Sequence, residues 1–383
     1  MNTIKYIPLV LFLSLLSCSN HFVEQDMNQT EKANYFLEQM IKNSDTPGLQ
    51  YMVLNSDSTI FEFNGGFSKL ENKNELSTST TFNSFSITKT FTALAILQLE
   101  EKGKLNIDDY VQTYLDYLPY KTNFSIRQLL NHTSGLPNPM PLKWVHLLDE
   151  NKSYNYKEFI KKVVDENDEL DNQPGEKYSY SNIGYLLLGE IIEKTSGEDY
   201  RTYIKNNIIN KFSLSNDSYL GFVIPDTLYH AHGYIKKWSF LNIGLNFVFD
   251  KSKYIEDTYD GWSQFKYFYM NGYSFGGLIG NARGFAKYLQ SFIKDNGLIT
   301  NNIKSKLFAK QKTKNGKTLD MCLSWFSGSL EGEQYYTHAG GGGGYYCEIR
   351  IYPMKKLASV IMFNRTGVSD ERFLDKIDRV FLL

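Results

Sequence analysis

Cysteine is scarce in this chain of 383 residues: Cys18, Cys322 and Cys347 are all it has. If Cys18 serves another purpose, at most one internal disulfide remains, between Cys322 and Cys347, and an oxidising envelope would permit it. Charge of one sign is equally lacking. Lys plus Arg number 41 against 42 Asp plus Glu, a formal net charge of −1, so nothing implies a nucleic-acid partner. Long apolar runs are missing too, because the longest candidate, Ile7 to Leu16, falls short of the roughly 20 residues that span a bilayer. The pair His230 and His232 has no carboxylate or cysteine at ligand spacing, and neither a metal nor another cofactor is expected. The glycine run Gly340 to Gly344 lacks the Gly-Lys-Ser/Thr ending of a phosphate loop, which argues against nucleotide binding.

What is present begins at the N-terminus. One base, Lys5, precedes the short apolar stretch, and Leu15-Leu16-Ser17-Cys18 follows it. This reads as a signal peptide over residues 1–17 ending in a bacterial lipobox, with Cys18 the lipid attachment site. Residues 18–31 are polar enough for a tether, and residues 32–383 form the domain. The expectation is therefore a bacterial envelope protein, periplasmic or at the cell surface, held to the membrane by a lipid anchor. Without residues 1–17 the balance is 40 bases to 42 acids, and a composition 42% hydrophobic suffices for a sizeable core.

Three clusters carry chemistry. Ser86-Ile87-Thr88-Lys89 precedes Thr90 to Leu99, apolar around almost its whole circumference, and Gly103 supplies a stop. A helix beginning at Ser86 places Ser86 and Lys89 on one face, within hydrogen-bond reach. It also directs unpaired N–H groups and the positive dipole end at the site, so the Ser86 amide serves as one oxyanion donor. Burial depresses the lysine pKa, making Lys89 and the nearby phenol of Tyr180 the two candidate bases, between which the sequence does not choose. Alone, Ser-x-x-Lys also describes a capping serine followed by a solvated lysine. The second cluster, Tyr180-Ser181-Asn182, sits on a turn before a helix from Gly184 to Lys194. The third, His338-Ala339-Gly340, joins a strand to the glycine run.

Together these clusters resemble the serine β-lactamase and penicillin-binding-protein family, in its class C, esterase and D-peptidase branch. The likeness extends to Leu105-Asn106-Ile107-Asp108-Asp109, to Leu129-Leu130-Asn131-His132-Thr133-Ser134-Gly135-Leu136-Pro137 and to Gly184 to Glu193, running from about Phe36 to the end. The resemblance implies that Ser86 is the acylated nucleophile, that Lys89 and Tyr180 manage its proton, and that Asn182 orients Lys89 and the substrate amide. It implies an oxyanion strand at Gly340 and Gly341, with the Gly341 N–H joining that of Ser86. His338 stands where β-lactamases often carry lysine, so a constant cation is absent if the imidazole is neutral. Ala339 departs further, since many relatives use a hydroxyl there to bind a carboxylate. The function implied is a serine hydrolase cleaving an ester, amide or β-lactam-like bond of a small-molecule or peptide substrate. Its rivals are a penicillin-binding protein or β-lactamase acting on cell-wall peptide or antibiotic, and a non-catalytic module that binds or senses peptidoglycan.

The fold class expected is α/β (α+β), β-lactamase/transpeptidase-like. Strands at Leu49 to Leu54, Thr59 to Phe63, Leu319 to Phe326, Glu333 to His338, Tyr345 to Tyr352 and Ala358 to Phe363 form one antiparallel sheet from both chain ends. Helices at Lys32 to Lys42 and Ser369 to Phe381 flank it, and a mainly helical insertion fills about 86–300. Residues 234–275 carry fourteen aromatics, suited to lining a site for apolar acyl groups or sugar rings, to meeting a membrane, or to packing a helical hairpin. Oligomeric state is not legible.

Overall fold

The computed structural model describes residues 27–140, 144–245, 250–294, 299–368 and 372–383; the expected signal peptide and Cys18 lie outside them. Helix α1, Gln29–Lys42, starts three residues inside the segment read as a tether. Asn28 and Glu31 form a capping box, each side chain accepting the other's backbone N–H. Its buried stripe, Ala33, Leu37 and Met40, rests on the sheet.

That sheet is seven-stranded and antiparallel. β1 (Gly48–Asn55), β2 (Thr59–Lys69) and β3 (Asn74–Glu75) come from the start, and β4 (Phe326–Leu330), β5 (Glu333–Gly342), β6 (Tyr345–Tyr352) and β7 (Leu357–Phe363) from the end. The order is β4-β5-β6-β7-β1-β2-β3, so the two chain ends meet where β1 pairs with β7, Tyr51 opposite Ile361. Central strands are apolar on both faces because both are covered. Leu49, Tyr51 and Val53 join α1 and the C-terminal segment, whereas Met52, Leu54, Val360 and Met362 join the large core shared with the helical region.

The insertion between β3 and β4 is mainly helical and supplies that second cover. α2 (Thr88–Glu101) is buried on nearly every side, and α3 (Asn182–Ser196) packs on it, capped by the Ser181 side chain and ended by Gly197 at φ 78°. Then come α4 (Phe240–Leu245), α5 (Tyr273–Gly276) and α6 (Ala282–Ile293), the last packed on β1 and β7.

Several expectations are corrected. The first strand of the C-terminal set begins at Phe326 and not at Leu319: Met321, Cys322, Leu323 and Trp325 are apolar because this loop closes the core, with Leu323 and Ser324 donating to the carbonyls of Leu307 and Leu130. Among the described residues the last helix is a 3-10 turn, Phe373–Lys376, then Arg379–Leu382, residues 369–371 lying outside the description. Cys322 and Cys347 are both free and buried, so the contemplated disulfide is not formed. The glycine run is strand as far as Gly342. The turn takes only Gly343 and Gly344, at φ 46° and 93°.

Candidate active site

Ser86 does not open the α-helix as expected. It is the middle residue of a 3-10 turn, Phe85–Ile87, and α2 starts at Thr88. The residue before it, Phe85, is held at φ 47°, a left-handed conformation unfavourable for an aromatic residue. What holds it is Ser84, whose N–H and Oγ both bond the Leu278 carbonyl, and Leu278 in turn donates to Thr88 Oγ1. Ser86 is thus braced from both sides by the segment after α5.

Lys89 Nζ lies 3.0 Å from Ser86 Oγ and 2.9 Å from the Phe275 carbonyl, to which it donates. It is fully buried and enclosed by the rings of Tyr180, Tyr185 and Phe275, with centroids 5.0, 5.5 and 5.2 Å away. Burial without a carboxylate partner among the described residues pushes its pKa well below the usual lysine range. Tyr180 completes the group, its hydroxyl 2.8 Å from Ser86 Oγ. An amine able to be neutral, a phenol and a serine hydroxyl in mutual contact form a proton-transfer unit.

Asn182 is the first residue of α3 and lines the same cleft, but its Oδ1 has no hydrogen-bond partner among the described residues. The expected bond to Lys89 is therefore not formed, and the Phe275 carbonyl takes its place. That carbonyl carried no signal in the sequence, since any residue supplies one. His132 was legible only as part of a motif. Its ring lies 4.3 Å from that of Tyr180, and its Nδ1 accepts the Ser181 N–H at 3.1 Å, tying the second cluster down.

His338 is buried on β5, and its Nδ1 donates to the Ser324 carbonyl. Burial, reinforced by nearby Lys89, lowers its pKa to about 3, so the imidazole is neutral at pH 7 with Nε2 as an acceptor. Gly340 sits against Ser84 and Ser86: a Cβ there would lie 2.4 Å from the Ser84 carbonyl oxygen and 2.6 Å from the Ser86 nitrogen. Gly341 has room, its nearest contact being 3.4 Å. β4 pairs with β5 only as far as Thr337, which leaves the edge at 338–342 without a strand on that side, and these residues line the cleft.

The cleft has a volume of about 890 Å³. Its walls are apolar, with Phe85, Val145, Leu241, Phe265, Phe268 and Met270 prominent, and no carboxylate lines it among the described residues. Of the aromatics in residues 234–275, Tyr254, Phe265, Phe268 and Phe275 line the cleft, while Trp262 and Tyr234 pack in a separate cluster with Leu70.

Comparison with known proteins gives the family and the fold. Penicillin-binding protein 4* of Bacillus subtilis (strain 168) is 29% identical over 289 residues, 75% of this chain but only 61% of that protein, so the chain spans less than two thirds of its length. The structure of the octameric penicillin-binding protein homologue from Pyrococcus abyssi superposes with a TM-score of 0.73 at 24% identity, over 92% of this chain and 76% of that one. D-amino acid amidase from Ochrobactrum anthropi SV3 gives 0.72 at 19% identity, over 91% and 96%. These two likenesses show the fold. The sequence model described as Beta-lactamase matches residues 33–381, nearly the whole described chain, and the protein belongs to that family.

Proposed function

We propose that this serine hydrolase of the beta-lactamase family is acylated on Ser86 by an uncharged ester or amide with an apolar acyl group, and passes that group to water. The observation that carries the proposal is the contact of Ser86 Oγ with both Lys89 Nζ, at 3.0 Å, and the Tyr180 hydroxyl, at 2.8 Å. As a neutral amine, Lys89 accepts the Ser86 proton during attack, while its own N–H to Phe275 holds it in place. Tyr180, also in contact with Oγ, then gives its hydroxyl proton to the leaving group and is reprotonated by the Lys89 ammonium, so that both groups regain their starting states before water enters. The N–H groups of Ser86 and Gly341 receive the charge that develops on the carbonyl oxygen, and Asn182 Oδ1, buried beside the cleft without a partner among the described residues, is left to accept a substrate N–H. Water repeats the sequence to release the acid.

The substrate class follows from the cleft. A neutral His338 and the methyl group of Ala339 offer nothing to a carboxylate, whereas the apolar walls suit an acyl chain or ring. Steady-state hydrolysis of activated esters of increasing acyl size tests this: kcat/KM should rise with apolar size and fall when a carboxylate is placed on the acyl group. The reverse order would overturn it. One observation favours a second reading, a penicillin-binding protein or β-lactamase: Arg372, exposed in the cleft wall, can face a carboxylate. The names of the relatives support that reading as well. A lasting penicillin adduct on Ser86 would establish it.

We further propose that residues 1–17 are removed as a signal peptide, that Cys18 carries the lipid, and that the domain works at the bacterial cell envelope. The lipobox sequence and the penicillin-binding relatives support this placing. Labelled fatty acid should enter the wild type and not Cys18→Ser.

A further inference from the structure

The aromatic segment does more than wall the cleft. Just before and within α4, Trp238 is 83% exposed and Phe240 97%, with Leu241 and Ile243 about half exposed. The chain's other tryptophans, Trp144, Trp262 and Trp325, are buried, so Trp238 is the exception. Lys236 and Lys237 adjoin this patch and are exposed, Lys237 Nζ standing 5.7 Å from the Trp238 ring. Of the acids on the same small sheet, Glu256 and Asp257 belong to its opposite edge, since the strand Trp262–Phe265 runs between Ile255–Tyr259 and Tyr234–Lys236, and Asp260 stands in the turn beside Gly261, whose carbonyl accepts the Lys237 N–H, so two ammonium groups face one carboxylate there. On its inner side the same helix gives Leu241 and Leu245 to the cleft.

From this juxtaposition we infer that Trp238, Phe240 and Ile243, with Lys236 and Lys237, form a docking surface for an anionic phospholipid bilayer. Tryptophan and phenylalanine reach the level of the headgroup and acyl boundary, and the two ammonium groups meet the phosphates above it. The charge pattern decides against a second copy of the chain. Five exposed side chains are few against the roughly 800 Å² a side of a stable protein interface, and lysine is depleted from such interfaces. Docking by this helix sets the cleft mouth against the bilayer, so an amphiphilic substrate enters without crossing water; that consequence, unlike docking itself, rests on the acyl-ester reading above.

The test uses the full chain reconstituted with vesicles of phosphatidylglycerol and phosphatidylcholine, the latter brominated as a quencher, with Trp238→Phe subtracted to isolate one fluorophore. The expected result is a blue shift and quenching of Trp238 on the anionic vesicles and little of either on pure phosphatidylcholine. Lys236→Gln with Lys237→Gln lowers the docked-to-undocked ratio roughly 30-fold, at about fivefold for each lysine near an anionic surface, while hydrolysis of a small soluble ester stays unchanged. Trp238 emission that ignores the vesicles, quenching that is equal on both lipids, or a lipid-free dimer that buries Trp238 would each overturn the proposal. Loss of hydrolysis with docking intact would instead count against the hydrolase reading alone.

Discussion

Lys89, the base of the proposed acylation, also opposes folding. Its amine is fully buried, with only Ser86 and the Phe275 carbonyl to bond among the described residues, and its pKa is held well below that of a free lysine. The unfolded chain binds a proton there at pH values where the folded chain resists it, so the penalty is present at neutral pH and disappears only above the ordinary lysine pKa. Lys89→Met should therefore raise the melting temperature while abolishing ester hydrolysis, two readings from one variant; a fall in both would mean that Lys89 is structural. For the wild type, kcat/KM should fall as the pH is lowered through the depressed lysine pKa, because the protonated amine cannot accept the Ser86 proton. At this scale Ser86, Lys89 and Tyr180 were legible in the sequence because side-chain identity and spacing carry their chemistry. The Phe275 carbonyl and the strained Phe85 were not, since backbone groups and dihedral angles depend on what the rest of the chain does to them.

Among the elements, the approach of β5 to the 3-10 turn sets the distance across the site. Gly340 is required there by contact rather than by dihedral angle, because any Cβ would collide with the backbone of Ser84 and Ser86. Gly340→Ala should cut kcat/KM by at least a hundredfold and lower stability, whereas Gly341→Ala, with its nearest contact at 3.4 Å, should retain the fold and most of the activity. Equal effects of the two substitutions in thermal melts and ester assays would contradict this. The core strands were readable from their apolar runs and turn punctuation. The stretch from Leu319 was not, since a loop that seals a core is as apolar as a strand, and only the pairing of β4 with β5 separates them. The glycine run was readable as a connection but not as strand, because glycine carries no strand preference of its own and is accepted here for close approach.

Over the whole molecule, burial of charge and of imidazole ties stability to pH. His230 and His338 are buried neutral, each with its pKa lowered to about 3 chiefly by desolvation, and burial pulls His132 down as well. Each titrates near 6.5 when unfolded, so the unfolded state binds more protons between about pH 6.5 and 3. Stability should be level above that window as far as these groups are concerned and fall progressively within it, which melting temperatures recorded across pH 3 to 8 would reveal. Beneath the sheet, Arg350 is wholly buried, bonded to Glu348 at 2.7 Å and Asp375 at 2.5 Å, and its Nη1 lies 4.0 Å from Asp378. Arg350→Met leaves those carboxylates without their cation and should cost about 3–5 kcal/mol in denaturant unfolding. The architecture, strands from both ends around a helical middle, was legible because period-two and helical patterns occupy different thirds of the chain. The partners of the buried charges were not, since Arg350 and Asp378 meet only after the last segment folds beneath the sheet.

The central claim is covalent, and mass is its most direct reading. The protein is mixed with an activated ester of a medium-length apolar acid, sampled over time for intact mass, and the modified peptide is mapped, with Ser86→Ala alongside. The account predicts one acyl group on Ser86, present during turnover, lost when the ester is exhausted, and absent from Ser86→Ala. Turnover by Ser86→Ala, or an adduct on any other residue that rises and falls with hydrolysis, would contradict it.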